Sequence, residues 1–173
     1  MVDWAVAACR TVAHGVILVV PAEHVDDEAT TADVVVAGGA TRSDSVRSGL
    51  AAMPSDAGIV VVHDAARPFA APALFAAVVD AVRAGADGAV PGIAVTDTIK
   101  KVAGGRVVAT LDRATLVAVQ TPQAFASEAL RRAHAGAGEA TDDAALVEAA
   151  GGRVVVVPGD PANTKITLRT DLA

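Results

Sequence analysis

The chain has 173 residues, is 53% hydrophobic and carries a formal net charge of −6, which suits one domain with ample material for a core. The acidic balance, with three phenylalanines, one tryptophan and no tyrosine, argues against a nucleic-acid binder, so any anionic ligand must be held by a local basic pocket. Mean hydropathy is +0.46, yet no apolar run approaches the roughly 20 residues that span a bilayer, and no basic region leads a long apolar one after Met1. A protein without membrane spans, cytoplasmic in location, is expected; the single Cys9 excludes an internal disulfide and a cysteine metal cluster.

Asp3–Thr11 predicts a helix that begins with no strand before it. Gly15–Val20 is the first strand and ends at Pro21; Glu23–Thr31 is read as holding a short helix, and Val34-Val35-Val36 as a short strand. Gly38-Gly39 then forms a turn leading into a helix through Ser43. Paired glycines let backbone N–H groups approach a ligand, and a helix N-terminus favours an anion.

Gly58–Val62 reads as a central strand buried on both faces, because four consecutive branched apolar residues leave no polar position. His63, Asp64 and Arg67 arrive where it ends, and the carboxyl ends of strands in open α/β sheets are where ligands bind. Arg67 suits phosphate oxygens and Asp64 a magnesium ion. Alternatively, the two pair with each other and shape the turn before Pro68.

Pro72 opens a helix to about Ala84 with Leu74, Val78, Ala81 and Val82 as its apolar stripe, and Gly88–Pro91 is a buried strand. Val95–Val102 and Gly105–Thr110, joined at Gly104-Gly105, form a β-ribbon where the α/β rhythm would call for a helix. An exposed ribbon on a small domain needs a cover, which implies a dimer. Val117–Thr121 returns to the sheet, helices follow at Ser127–Ala135 and Asp142–Ala150 with Thr141 as N-cap, and Val154–Val157 is the last strand. Lys165, one of only three lysines, then stands at the sheet edge, and Thr170–Ala173 opens a helix. The fold class is α/β: a Rossmann-like, doubly wound, mostly parallel sheet with a protruding arm at about residues 95–113.

In order along the chain stand Gly38-Gly39 with Arg42, Asp44, Ser45 and Val46; Val62-His63-Asp64-Ala65-Ala66-Arg67-Pro68; and Asp97-Thr98-Ile99-Lys100. After these come Asp112-Arg113, Gln120-Thr121-Pro122-Gln123-Ala124-Phe125, Thr141-Asp142-Asp143 and Lys165-Ile166-Thr167. This ordered set resembles the 2-C-methyl-D-erythritol 4-phosphate cytidylyltransferases of isoprenoid biosynthesis and covers nearly the whole chain, read as a single nucleotidyltransferase domain over residues 1–173. The resemblance implies attack of a methylerythritol 4-phosphate oxygen on the α-phosphorus of CTP, with pyrophosphate released and magnesium present. It places Gly39, Ala40, Arg42, Ser45, Asp64 and Ala65 on the nucleotide, with Asp64 also toward the metal. Arg113 and Lys165 become the catalytic pair, Arg67, Thr98, Thr121 and Thr141 complete the sugar-phosphate site, and the arm implies a homodimer.

The family begins with a strand, a Gly-rich and Arg-containing loop and a Pro-Lys pair; this chain opens in what resembles the helix after them, and the family's C-terminal helix has no counterpart. The expectation is a chain short of nucleotide-phosphate donors, not competent by itself, with strand edges lacking a partner. Alternatives are a cytidylyltransferase for another polyol phosphate such as ribitol 5-phosphate, or a non-catalytic binding module.

Overall fold

The computed structural model describes residues 1–26, 30–136 and 138–168. Helix α1 (Val2–Cys9) precedes β1 (Ile17–Val20), a single 3-10 turn at Ala22–His24, and β2 (Val34–Ala37). The rest of the segment read as a short helix lies partly outside the described residues, and the expected helix opening at Thr170–Ala173 lies wholly outside them. Next come α2 (Arg42–Ala52), β3 (Ile59–Val62), α3 (Pro72–Arg83) and β4 (Gly88–Ala94). The arm is β5 (Lys100–Ala103) and β6 (Arg106–Thr110), followed by β7 (Val117–Val119), β8 (Gln123–Ala126), α4 (Ser127–His134), α5 (Asp143–Ala149) and β9 (Val154–Pro158).

Local chemistry accounts for most of these boundaries. Helix α3 starts with Pro72 in its first turn and buries Leu74, Phe75, Val78, Val79 and Val82, the spacing of one helical face. In α2, Thr41 and Asp44 form a reciprocal capping box in which each side chain accepts from the other's backbone N–H. The N-cap of α5 is Asp142, not Thr141: its Oδ1 accepts from Ala145 N–H at 3.0 Å. The ribbon turns through Gly104 and Gly105 at φ +55° and +74°, a two-residue hairpin geometry that glycine adopts without strain. Its first strand begins only at Lys100, so residues 95–99 lead into the arm as irregular backbone.

The main sheet runs β3-β8-β4-β7, with β9 also on β4. The α/β class stands, but the sheet is less parallel than expected. Among the described residues only β1 with β2 and β4 with β9 are parallel, whereas β8 is antiparallel to both β3 and β4 and β7 is antiparallel to β4. Strand β8 is the cause, inserted between β3 and β4 where a parallel neighbour was expected. Among the described residues β3 pairs only with β8 and β1 only with β2. Thus β3 is an edge strand and not a central one, although both of its faces are covered, Val60 and Val62 packing toward α2, α4 and α5 and Ile59 and Val61 toward α3, and β1 likewise keeps one unpaired edge.

Helices cover the two faces of the main sheet, and the period-2 alternation of its strands divides the core. Phe125 and Val90 join Leu50, Leu130, Ala144 and Val147 from α2, α4 and α5 on one face. Their chain neighbours Ala124 and Ala89 face Val78, Val79 and Val82 of α3 on the other. Helix α1 also packs by α3, and there Trp4, 61% exposed, lies 6.1 Å from the ring of Phe69 just after β3.

Candidate active site

At the carboxyl end of β3 the chain makes a turn in which Arg67 N–H donates to the Asp64 carbonyl at 2.9 Å. This turn is fixed from behind by a chain of hydrogen bonds. Asp64 N–H donates to Thr121 Oγ1 at 3.0 Å, Thr121 Oγ1 donates to His63 Nδ1 at 3.1 Å, and His63 Nε2 donates to the Arg67 carbonyl at 3.0 Å. Only one imidazole tautomer satisfies all three, with the proton on Nε2. Burial holds the His63 pKa below its ordinary value, which keeps that ring neutral. Thr121 is 6% exposed, so its hydroxyl is spent inside the fold.

The Asp64 and Arg67 side chains do not pair with each other; both look toward the segment after β9. Lys165 Nζ donates to Asp64 Oδ2 at 2.7 Å, and Arg67 Nη1 donates to the Asn163 carbonyl at 2.6 Å. That segment is pinned by Ile166 N–H on the Ala66 carbonyl, by Gln120 Nε2 on the carbonyls of Asp160 and Asn163, and by Asn163 Nδ2 on the Thr121 carbonyl. Arg67, Gln120, Asn163 and Lys165 line a cleft of about 490 Å³ whose apolar wall is Ile93, Ala118 and Val119. Two polar atoms, Arg67 Nε and Asn163 Oδ1, are buried there without a partner among the described residues. Burial also lowers the Arg67 pKa, but an arginine this basic stays charged.

Sequence reasoning gave no role to Gln120, Asn163 or the His63 relay. Gln120 and Asn163 each lie within two residues of one of the matched positions Thr121 and Lys165, so buried amides beside a motif were the available signal.

The second cluster lies at the start of α2. Gly39 N–H donates to Ser45 Oγ at 3.2 Å, and a Cβ at Gly39 would stand 2.1 Å from the Asp44 Cβ. Only glycine lets the turn lie that close to its own helix. Ala40 beside it is exposed. Arg42 Nη2 donates to Asp143 Oδ2 at 2.7 Å. Burial opposes the Arg42 charge, but the hydrogen bond to Asp143 and the nearby carboxylates, Asp64 among them, outweigh it.

The remaining predicted residues are spread more widely. Arg113 is exposed at the foot of the arm, where its Nη1 donates to the Thr96 carbonyl, and Thr98 is exposed close by in sequence. Thr141 is exposed at the mouth of α5, and Ala65 is half-buried in the turn after β3. The structure therefore joins Lys165 to Asp64 and seats Arg67 beside Lys165, while no hydrogen bond or ion pair among the described residues links Arg113, Thr98 or Thr141 to them. Nor do three carboxylates, imidazoles or thiols converge on a metal position among the described residues. Asp64 offers a single carboxylate with one oxygen engaged, which fits a magnesium ion that takes most of its ligands from substrate phosphates and water.

Comparison with known proteins addresses what this arrangement serves. The model of the family described as "IspD: 2-C-methyl-D-erythritol 4-phosphate cytidylyltransferase" matches residues 1–173. The chain is 51% identical over 163 residues to the 2-C-methyl-D-erythritol 4-phosphate cytidylyltransferase of Nocardia farcinica, covering 91% of this chain and 70% of that protein. It is 47% identical over 188 residues to a bifunctional enzyme IspD/IspF of Nitratidesulfovibrio vulgaris, with 96% and 48% covered, so it spans about half the length of that relative. The crystal structure of the 2-C-methyl-D-erythritol 4-phosphate cytidylyltransferase of Thermus thermophilus superposes with a TM-score of 0.87 at 38% identity, over 98% of this chain and 84% of that one. With a family model matched from end to end and a fold shared with its solved members, the chain belongs to the 2-C-methyl-D-erythritol 4-phosphate cytidylyltransferase family.

Proposed function

We propose that this protein transfers a cytidylyl group from CTP to 2-C-methyl-D-erythritol 4-phosphate, giving 4-diphosphocytidyl-2-C-methyl-D-erythritol and pyrophosphate. The observation that carries the reading is the Lys165–Asp64 contact at 2.7 Å beside Arg67. It puts two cations and one carboxylate at the carboxyl end of β3 in a chain of this family. A phosphomonoester oxygen of the acceptor bonds to the α-phosphorus of CTP as the bond to the β-phosphate oxygen breaks and pyrophosphate leaves. Such chemistry depends on positioning and charge neutralisation.

In this reading Arg67 and Lys165 grip the acceptor phosphate at the cleft, and Arg113 approaches it from the arm. The Gly39–Ala40 backbone, Arg42, Ser45, Asp64 and Ala65 hold the nucleotide, and Thr98 and Thr141 contact the polyol. Thr121 acts from behind, through Asp64. Magnesium on Asp64 would neutralise nucleotide phosphate charge when bound. Exposed Val102, Val107 and Val108, at 57%, 61% and 55%, give the arm an apolar surface that a second copy would cover.

The test supplies the protein with CTP, magnesium and either methylerythritol 4-phosphate or ribitol 5-phosphate and follows pyrophosphate release. With the family's Gly-rich loop joined ahead of Met1, release with the first acceptor alone is expected, and release with ribitol 5-phosphate alone would reassign the acceptor. Sedimentation of the parent and Val107→Asp, expected to be dimer and monomer, tests the arm.

A further inference from the structure

Asp143 is completely buried, and each of its carboxylate oxygens has one partner from another element. Oδ2 accepts from Arg42 Nη2 of α2 at 2.7 Å, and Oδ1 accepts from His134 Nε2 of α4 at 2.9 Å. The His134 side chain is 2% exposed. Burial alone would push the Asp143 carboxyl up, but the hydrogen bonds from His134 and Arg42 outweigh it and hold the carboxyl below its ordinary value.

An arginine and a carboxylate usually meet as a two-pronged fork. Here the second prong is given to a histidine, and Arg42 Nη1 stays buried with no acceptor among the described residues. A brace meant only to join helices would gain more by closing the fork, since a buried donor left unpaired is costly. Around this contact the same two regions are tied again. Thr41 Oγ1 donates to Glu139 Oε1 at 2.8 Å, and Arg47 reaches both Glu139 and the Gly138 carbonyl. The Gly38-Gly39 turn is thereby fastened to the loop that carries Thr141.

We propose that Asp143 and His134 are positioning residues for nucleotide binding: His134 orients the Asp143 carboxylate, which holds the Arg42 guanidinium by one arm and leaves the other for an acceptor oxygen of the bound nucleotide. The proposal rests on the cytidylyltransferase reading and extends it to two residues that contact no substrate. Their effect falls on nucleotide affinity more than on the chemical step, because Arg42 grips CTP before and during transfer alike.

The experiment measures CTP binding by calorimetry with magnesium, the KM values for CTP and acceptor, and thermal unfolding. The variants are Asp143→Asn, His134→Leu, His134→Gln, Arg42→Ala and Arg42→Ala/Asp143→Asn. Asp143→Asn keeps the size but loses the charge and turns one of the two acceptor oxygens into a donor, and should weaken CTP binding about tenfold, with kcat and acceptor KM much less affected. His134→Leu should do the same, and His134→Gln, whose amide donates from a similar reach, should restore binding. In the Arg42→Ala background Asp143→Asn should add nothing. Additive losses, or a lowered unfolding temperature with unchanged CTP affinity, would make the pair a structural brace and overturn the proposal. A parent that binds CTP without transferring it would fail the proposed reaction yet leave the affinity comparison intact. A parent that binds no CTP would overturn both.

Discussion

Thr121 and Thr141 are matched to the same half of the site, yet the structure gives their hydroxyls opposite circumstances. The Thr121 hydroxyl links Asp64 N–H to His63 Nδ1, whereas the Thr141 side chain is exposed with no hydrogen bond among the described residues. Thr121→Val keeps the shape and removes the link, leaving one donor and one acceptor unpaired. Each such group costs about 1 to 3 kcal/mol, and because this turn is only partly buried the pair should cost about 2 to 4 kcal/mol. For a chain of this size that corresponds to a fall of roughly 5 to 15 °C in the unfolding midpoint. Thr121→Ser keeps the hydroxyl and should recover most of it, while Thr141→Val should stay within about 0.5 kcal/mol of the parent. Circular dichroism melts and urea titrations read these values, and acceptor KM is measured alongside. Thr141→Val should raise that KM with stability intact, and Thr121→Val should impair turnover only together with stability. A Thr121→Val midpoint equal to the parent's would refute the relay as the support of Asp64.

Lys165→Met and Arg113→Ala should each lower acceptor kcat/KM about 10- to 100-fold, the equivalent of one lost charge-assisted phosphate contact, with CTP affinity nearly unchanged; an unaltered acceptor response in steady-state kinetics would remove that residue from the site. The His63 pKa is lowered from 6.5 by burial, so the unfolded chain takes up the proton first. The stability it contributes is therefore complete above about pH 6.5 and is lost as pH falls below that. In urea unfolding, the stability advantage of the parent over His63→Gln should shrink as the pH is lowered from about 7.5 to about 5.5, and a constant or growing difference would contradict the neutral ring. Gly39→Ala places a Cβ 2.1 Å from that of Asp44 and should weaken CTP binding about tenfold or more by calorimetry, since the turn must open away from its helix; unchanged binding would take the turn off the nucleotide.

Local features were readable in the sequence wherever one residue type decides the outcome. Pro72 with its apolar stripe marks α3, Gly104-Gly105 marks the arm's turn, and the ordered motifs point to both site clusters. Pairing was not readable in the same way. Gln123-Ala124-Phe125-Ala126 contains no β-branched residue and follows a proline, so nothing announces β8, although Ala124 and Phe125 are fully buried. The run Ile59–Val62 is as apolar as a central strand requires, but composition does not say whether both edges find partners. Thr141 and Asp142 are equally good caps in sequence, and only the Asp142 contact to Ala145 separates them. Asp143 and His134 read as a helix start and a helix end; their meeting depends on how α4 and α5 pack, which no local pattern encodes.

The Trp4–Phe69 contact has an optical consequence. Trp4 is the only tryptophan, and tyrosine is absent, so emission excited at the red edge of the indole band comes from a single place in the molecule. That place is half in solvent and rests against a ring two residues beyond Arg67. Any shift of the turn after β3 alters the polarity around the indole and thus the wavelength and intensity of its light. The protein carries its own reporter against the turn after β3, readable without a label and free of background from other aromatic emitters of that colour.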